Sequence, residues 1–114
     1  MKRILIINSD PDTMQLLQDL LQMKGFETKY TGSKGDVPGL LHNFRPHLVL
    51  LDITQSASME LFQHESSEEG IPVLLMTGHN SYPQHRESNF KYFIRKPFVM
   101  EELMKHINTI FQRA

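Results

Sequence analysis

Three short, uninterrupted apolar runs punctuate the chain: Ile4-Leu5-Ile6-Ile7, Leu48-Val49-Leu50-Leu51 and Val73-Leu74-Leu75-Met76. Each ends in polar or turn residues and none alternates, the pattern of strands covered on both faces in a parallel sheet. Phe26-Glu27-Thr28-Lys29-Tyr30 and Lys91-Tyr92-Phe93-Ile94-Arg95 are more polar and alternate in part, which suits sheet edges. Between these runs the period changes. Met14, Leu17, Leu20 and Leu21 form a helical stripe with Met23 at its margin, Pro11 suits a first helical position and Gly25 an exit. Near the far end Leu103, Ile107, Ile110 and Phe111 share a face, with Glu101 and Glu102 at the positive end of the helix dipole and Arg113 at the negative end. A short second helix is expected with Asp36 as N-cap, Pro38 and Gly39 near its start, then Leu40 and Leu41. A third is expected around 59–64, before a polar loop, and a fourth at 81–88, interrupted by Pro83.

Strand and helix thus alternate five times. The economical architecture is an α/β, flavodoxin-like (βα)5 three-layer sandwich with right-handed crossovers and a five-stranded parallel sheet in the order 2-1-3-4-5. Its 114 residues suit one core, so 1–114 reads as a single domain. Sheets of this order bind ligands beyond the carboxyl ends of the strands, where the first and third lie side by side. The residues following those ends are Asn8-Ser9-Asp10, Asp52, Thr77 and Lys96. A carboxylate, a hydroxyl and an ammonium around one mouth could accept a phosphoryl group, the carboxylate as nucleophile and the others holding its oxygens. The bland alternative is an ion pair between Asp52 and Lys96.

Composition narrows the classes further. With 12 Lys and Arg against 13 Asp and Glu, interspersed, there is no nucleic-acid footprint and no basic membrane patch. The absence of cysteine removes disulfides, thiolate catalysis and Cys-based zinc sites, and fits the reducing cytoplasm. The apolar run behind Lys2 and Arg3 is too short for a signal peptide or a membrane span. His42, His47, His64, His79, His85 and His106 lack ligand spacing and read as scattered surface residues. Neither a P-loop nor a nucleophile elbow is present. A flavin site is disfavoured, because the first loop has no glycine and the chain no tryptophan.

Arg3-Ile4-Leu5-Ile6-Ile7, Arg45-Pro46-His47-Leu48-Val49-Leu50-Leu51-Asp52, Ile71-Pro72-Val73-Leu74-Leu75-Met76-Thr77 and Tyr92-Phe93-Ile94-Arg95-Lys96-Pro97-Phe98 carry, in this order, a resemblance. Over nearly its whole length the chain resembles the response-regulator receiver domains (CheY-like) of two-component signalling. The resemblance implies that Asp52 is the phosphoacceptor, Thr77 the switch hydroxyl, Phe93 the aromatic that turns inward on activation and Lys96 the partner of the phosphoryl group. It also implies a histidine kinase or phosphotransfer protein upstream, a downstream protein partner, and no catalysis beyond the domain's own phosphoryl transfer. Because the chain ends after the fifth expected helix, it reads as a stand-alone receiver.

Departures from the family pattern fall around the same mouth. Receivers usually carry two adjacent acidic residues after the first strand to hold Mg²⁺, and Asn8 and Ser9 occupy those places. Mg²⁺ prefers carboxylate oxygen, and one charge pair at close range in a partly solvated site is worth about 4 kcal/mol before desolvation. Two lost pairs predict a weak metal site on Asp52, with Asp10 as the alternative second carboxylate. Asp10 before Pro11 is also a good N-cap, and Asp12 suits the first helical turn. Downstream, Ile53-Thr54-Gln55-Ser56-Ala57-Ser58 replaces the usual turn after the acceptor, and the stretch from Thr77 to Lys96 is shorter than the family norm. Two functions remain: a receiver phosphorylated on Asp52 with an impaired metal site, and a pseudo-receiver that binds partners without phosphorylation.

Overall fold

The computed structural model describes residues 2–8, 10–52, 70–77, 92–95 and 97–113. Within them the chain forms β1 (Arg3–Ile7), α1 (Pro11–Met23), β2 (Glu27–Thr31), α2 (Val37–Asn43), β3 (Leu48–Asp52), β4 (Val73–Thr77), β5 (Tyr92–Arg95) and α3 (Met100–Arg113). The strands make one sheet in the order β2-β1-β3-β4-β5, every neighbouring pair parallel. The three apolar runs are its middle strands and the two polar ones its edges, as the hydropathy pattern predicts. The helices expected around 59–64 and 81–88 lie outside the described residues. No helix among the described residues is long and apolar enough to cross a membrane.

The middle strands are apolar throughout because both faces are covered. Ile4, Ile6, Leu48, Leu50, Leu74 and Met76 meet Met14, Leu17 and Leu21 of α1 and Leu103, Ile107 and Ile110 of α3. Leu5, Ile7, Val49, Leu51, Val73 and Leu75 form a second core with Val37 and Leu41 of α2. Each such side chain contributes roughly 1.5–3 kcal/mol on burial. A slip of one residue would exchange the two sets, so the register of these strands is firmly held.

Both ends of α1 are fixed by hydrogen bonds. Asp10 is the N-cap, in extended backbone, and its Oδ1 accepts from the Asp12 N–H at 3.2 Å while Oδ2 accepts from the Thr13 hydroxyl. At the exit, the Gly25 N–H bonds to the Gln22 carbonyl at 3.0 Å and the Phe26 N–H to the Leu21 carbonyl at 3.1 Å. This is a Schellman closure, and Gly25 supplies its left-handed residue at φ 93°. Phe26 packs against the core beneath α1 and α3, so β2 starts at Glu27, one residue later than the pattern suggests. Leu20, expected in the buried stripe, is only half-buried.

The entry to α2 differs from expectation. Asp36 stands at the N-cap position but makes no capping bond, since its backbone is already helical at φ −82° and ψ −14° after a 3₁₀ turn over Lys34–Asp36. Its carboxylate instead accepts from the Thr31 hydroxyl at 3.4 Å. The exit of α2 is also unusual, because Arg45 holds φ 53° where glycine would be the easy residue.

His47 is not the scattered surface histidine that its sequence context suggests. Its Nδ1 accepts from the Arg3 N–H at 2.9 Å while its own N–H donates to the Arg3 carbonyl at 2.7 Å. The Arg3 Nε donates to the carbonyls of Phe44 at 2.8 Å and Arg45 at 3.0 Å. Together these bonds clamp the start of β1 to the approach to β3.

Two outcomes follow from these ends and clamps. Asp10→Ala, measured by urea unfolding in the presence of EDTA, should lose about 1 kcal/mol through the missing cap. Burial, reinforced by the charges of Arg3 and Lys2, holds the His47 imidazole below its ordinary value. The unfolded chain therefore takes the proton first, so this stabilisation is complete above about pH 6.5 and is lost as pH falls below it toward the folded value. Unfolding midpoints measured across that range should decline toward acid, and His47→Gln should flatten this part of the profile.

Candidate functional site

The carboxyl edge of the sheet collects the chemistry that the sequence singles out. Ile7 is level with Leu51, and Leu51 with Leu75, so the next residues along β1 and β3, Asn8 and Asp52, stand at corresponding heights on adjacent strands. Thr77 closes β4 opposite Arg95 of β5. Ser9 and Lys96 lie outside the described residues, as do 53–69 and 78–91.

Asn8 and Asp52 are 4% and 6% exposed, two polar side chains at the rim of an otherwise apolar layer. Every buried side-chain nitrogen and oxygen among the described residues has a hydrogen-bond partner. The Asn8 N–H donates to the Thr31 carbonyl at 3.2 Å, which carries the β1–β2 pairing one step past the strand. Its side-chain Oδ1 accepts from the Asp10 N–H at 2.9 Å, an Asx turn that swings the chain into α1. The Asp10 carboxylate then turns toward the helix, where both oxygens accept hydrogen bonds, and the residue is exposed.

The donor set for a hard cation follows from these bonds. Asn8 Oδ1 and both Asp10 oxygens accept hydrogen bonds in the turn, and Asp52 is a buried carboxylate at this edge. No group of three or more metal-ligating side chains occurs among the described residues. Mg²⁺ is held by carboxylate oxygen and retained water, and Asp52 is a residue here with the right donor chemistry. The Asp52 carboxylate stands at the end of a central strand whose residues are all buried.

Phe93 lies on β5, 38% exposed, with the Arg95 guanidinium 5.8 Å from its ring centroid. The structure therefore holds this aromatic toward solvent. Two features of the edge escaped sequence reasoning. The hydroxyl of Thr31 accepts from the Ser33 N–H at 3.0 Å and ties the end of β2 to the turn before α2. The sequence context of Asn8 points to the charge it lacks, although an Asn two residues before an N-cap also signals an Asx turn.

Comparison with known proteins bears on this geometry. The family model for the response regulator receiver domain matches residues 4–108. The chain is 25% identical over 117 residues to the DNA-binding response regulator MtrA of Mycolicibacterium smegmatis, covering 98% of this chain and 51% of that one. It is 24% identical over 118 residues to the response regulator MprA of Mycobacterium sp. (strain KMS), with the same coverage. The chain thus spans about half the length of these relatives. Among solved structures, a two-component response regulator from Clostridium difficile superposes with a TM-score of 0.85 at 23% identity, covering 99% of this chain and 98% of that one. The receiver domain of TorR, of the TMAO respiratory system, gives 0.87 at 20% identity, with coverage of 99% and 98%. These likenesses show the fold. The family match over residues 4–108 establishes that the chain belongs to the response-regulator receiver domains of two-component signalling.

Proposed function

We propose that this receiver takes its phosphoryl group on Asp52, from a histidine kinase or phosphotransfer protein, with little assistance from Mg²⁺. In that step an Asp52 carboxylate oxygen forms the new P–O bond as the P–N bond to the donor imidazole breaks. The single observation that carries this reading is the buried Asp52 carboxylate at the end of the central strand β3, level with an amide where the family usually has an acid. Thr77, which closes β4, and Lys96, which follows Arg95 in sequence, are read as holding the phosphoryl oxygens, and Phe93 with Thr77 as the switch. The domain is not an enzyme toward a separate substrate. Its downstream partner is read as a protein, since its charges are balanced and interspersed, and its working compartment as the cytoplasm. In this reading 1–114 acts as one receiver domain.

A second reading, a pseudo-receiver that binds partners without phosphorylation, draws on the Asx turn and the helix cap. These bonds engage Asn8 Oδ1 and the Asp10 carboxylate in the entry to α1.

Titration with Mg²⁺ and beryllofluoride, followed through the amide signals of Asp52 and Thr77, separates the two. The proposal expects saturable beryllofluoride-dependent shifts at both amides that depend only weakly on Mg²⁺. Silence at both amides in a folded protein would favour the pseudo-receiver. Asn8→Asp combined with Ser9→Asp should restore carboxylate donors and raise Mg²⁺ affinity at least tenfold; an unchanged affinity would mean that the strand end is not aligned as described.

A further inference from the structure

At the opposite end of the sheet, where the strands begin and α2 ends, the chain gathers positive charge around a cavity. Arg3, Lys29 and Arg45 line a space of about 500 Å³ together with Glu27, Leu40 and Phe44. Strands rise about 3.3 Å per residue, so five-residue β1 sets this cavity on the order of 15 Å from Asn8 and Asp52. It is a separate place on the molecule.

Three observations suggest that these cations are arranged for a ligand. Arg3 is braced through Nε by the Phe44 and Arg45 carbonyls, a fixed orientation for its planar guanidinium. Lys29 extends over the Phe44 ring, its Nζ 5.8 Å from the centroid. Arg45 projects from a left-handed backbone that an ordinary side chain adopts at a cost, the kind of conformation that clusters at functional sites. Three cations against one carboxylate leave two positive charges in excess, the complement of a dianion. Leu40 and Phe44 add apolar surface for the body that carries it. Burial and the neighbouring charges of Arg3 and Lys2 also disfavour protonation of His47, in keeping with a positive field at this end of the sheet.

We propose that this cavity binds a phosphate monoester dianion, with Arg3, Lys29 and Arg45 on its oxygens and the apolar part of the ligand against Leu40 and Phe44. Guanidinium groups recognise phosphate through paired N–H donors, and lysine adds a mobile point charge. Such a group could belong to a free small molecule or to a lipid headgroup, and the chemistry at the cavity is the same for both. Glu27 is the one opposing charge, which gives the site a variant that should bind more tightly.

The test is an amide titration with phenyl phosphate at constant ionic strength, on wild-type protein and on Lys29→Gln, Arg45→Gln and Glu27→Gln. The proposal expects saturable shifts at Lys29, Phe44 and Arg45, affinity about fivefold weaker in each of the first two variants, and tighter binding in Glu27→Gln. Asp52→Asn should leave all of this unchanged, so the result stands apart from the fate of the phosphoacceptor reading. Flotation with phosphatidylcholine vesicles containing phosphatidylinositol 4-phosphate identifies the source: co-flotation that Lys29→Gln abolishes assigns a headgroup, and its absence alongside phenyl phosphate binding assigns a free ligand. Shifts that do not saturate, or that are identical in the folded Lys29→Gln and Arg45→Gln proteins, would overturn the proposal.

Discussion

The parallel pairing of β1 with β3, from Ile4 against Leu48 to Ile7 against Leu51, is the constraint on which the rest of the molecule depends. Both strands are buried on two faces, so their side chains are sorted between two cores and the pairing has no neighbouring register of comparable energy. Once that register is held, Asn8 and Asp52 must emerge together at one edge. At the other edge Arg3 and His47 must meet, and their two backbone-directed hydrogen bonds reinforce the same alignment.

Much of this was legible because a parallel sheet writes itself into sequence as uninterrupted apolar runs. Ile4 to Ile7, Leu48 to Leu51 and Val73 to Met76 gave the central strands and, with the two polar segments, the strand order. Pro11 and Gly25 marked the ends of α1 for reasons the hydrogen bonds repeat. What composition hid was the local competition for polar groups. Asp36 has the chemistry of a cap, yet the preceding 3₁₀ turn and the Thr31 hydroxyl engage it elsewhere. His47 looked like surface because its partner is a backbone N–H forty-four residues away, which no local pattern announces.

The candidate site was legible in part for the same reason. Strand ends are predictable, and so were the positions of Asp52 and Thr77 on the sheet's edge. The use to which Asn8 and Asp10 are put was not. From sequence they were a missing acid and a spare acid; in the structure they form one continuous turn, with Asn8 receiving the Asp10 N–H and Asp10 receiving the first helical N–H groups. Asn8 and Asp10 thus share a folding role at the entry to α1. Under the proposed function, this couples weak metal affinity to a well-built entry into α1.

The proposed function requires that Asp52 accept a phosphoryl group. Intact-mass spectrometry after incubation with a small acyl phosphate donor, with and without Mg²⁺, addresses it most directly, using Asp52→Asn as the control. Phosphorylation on Asp52 should appear as slow addition of one base-labile phosphoryl group, absent in Asp52→Asn and only weakly dependent on Mg²⁺. A folded protein that takes up no phosphoryl group in either condition, or takes it up equally in Asp52→Asn, would contradict it.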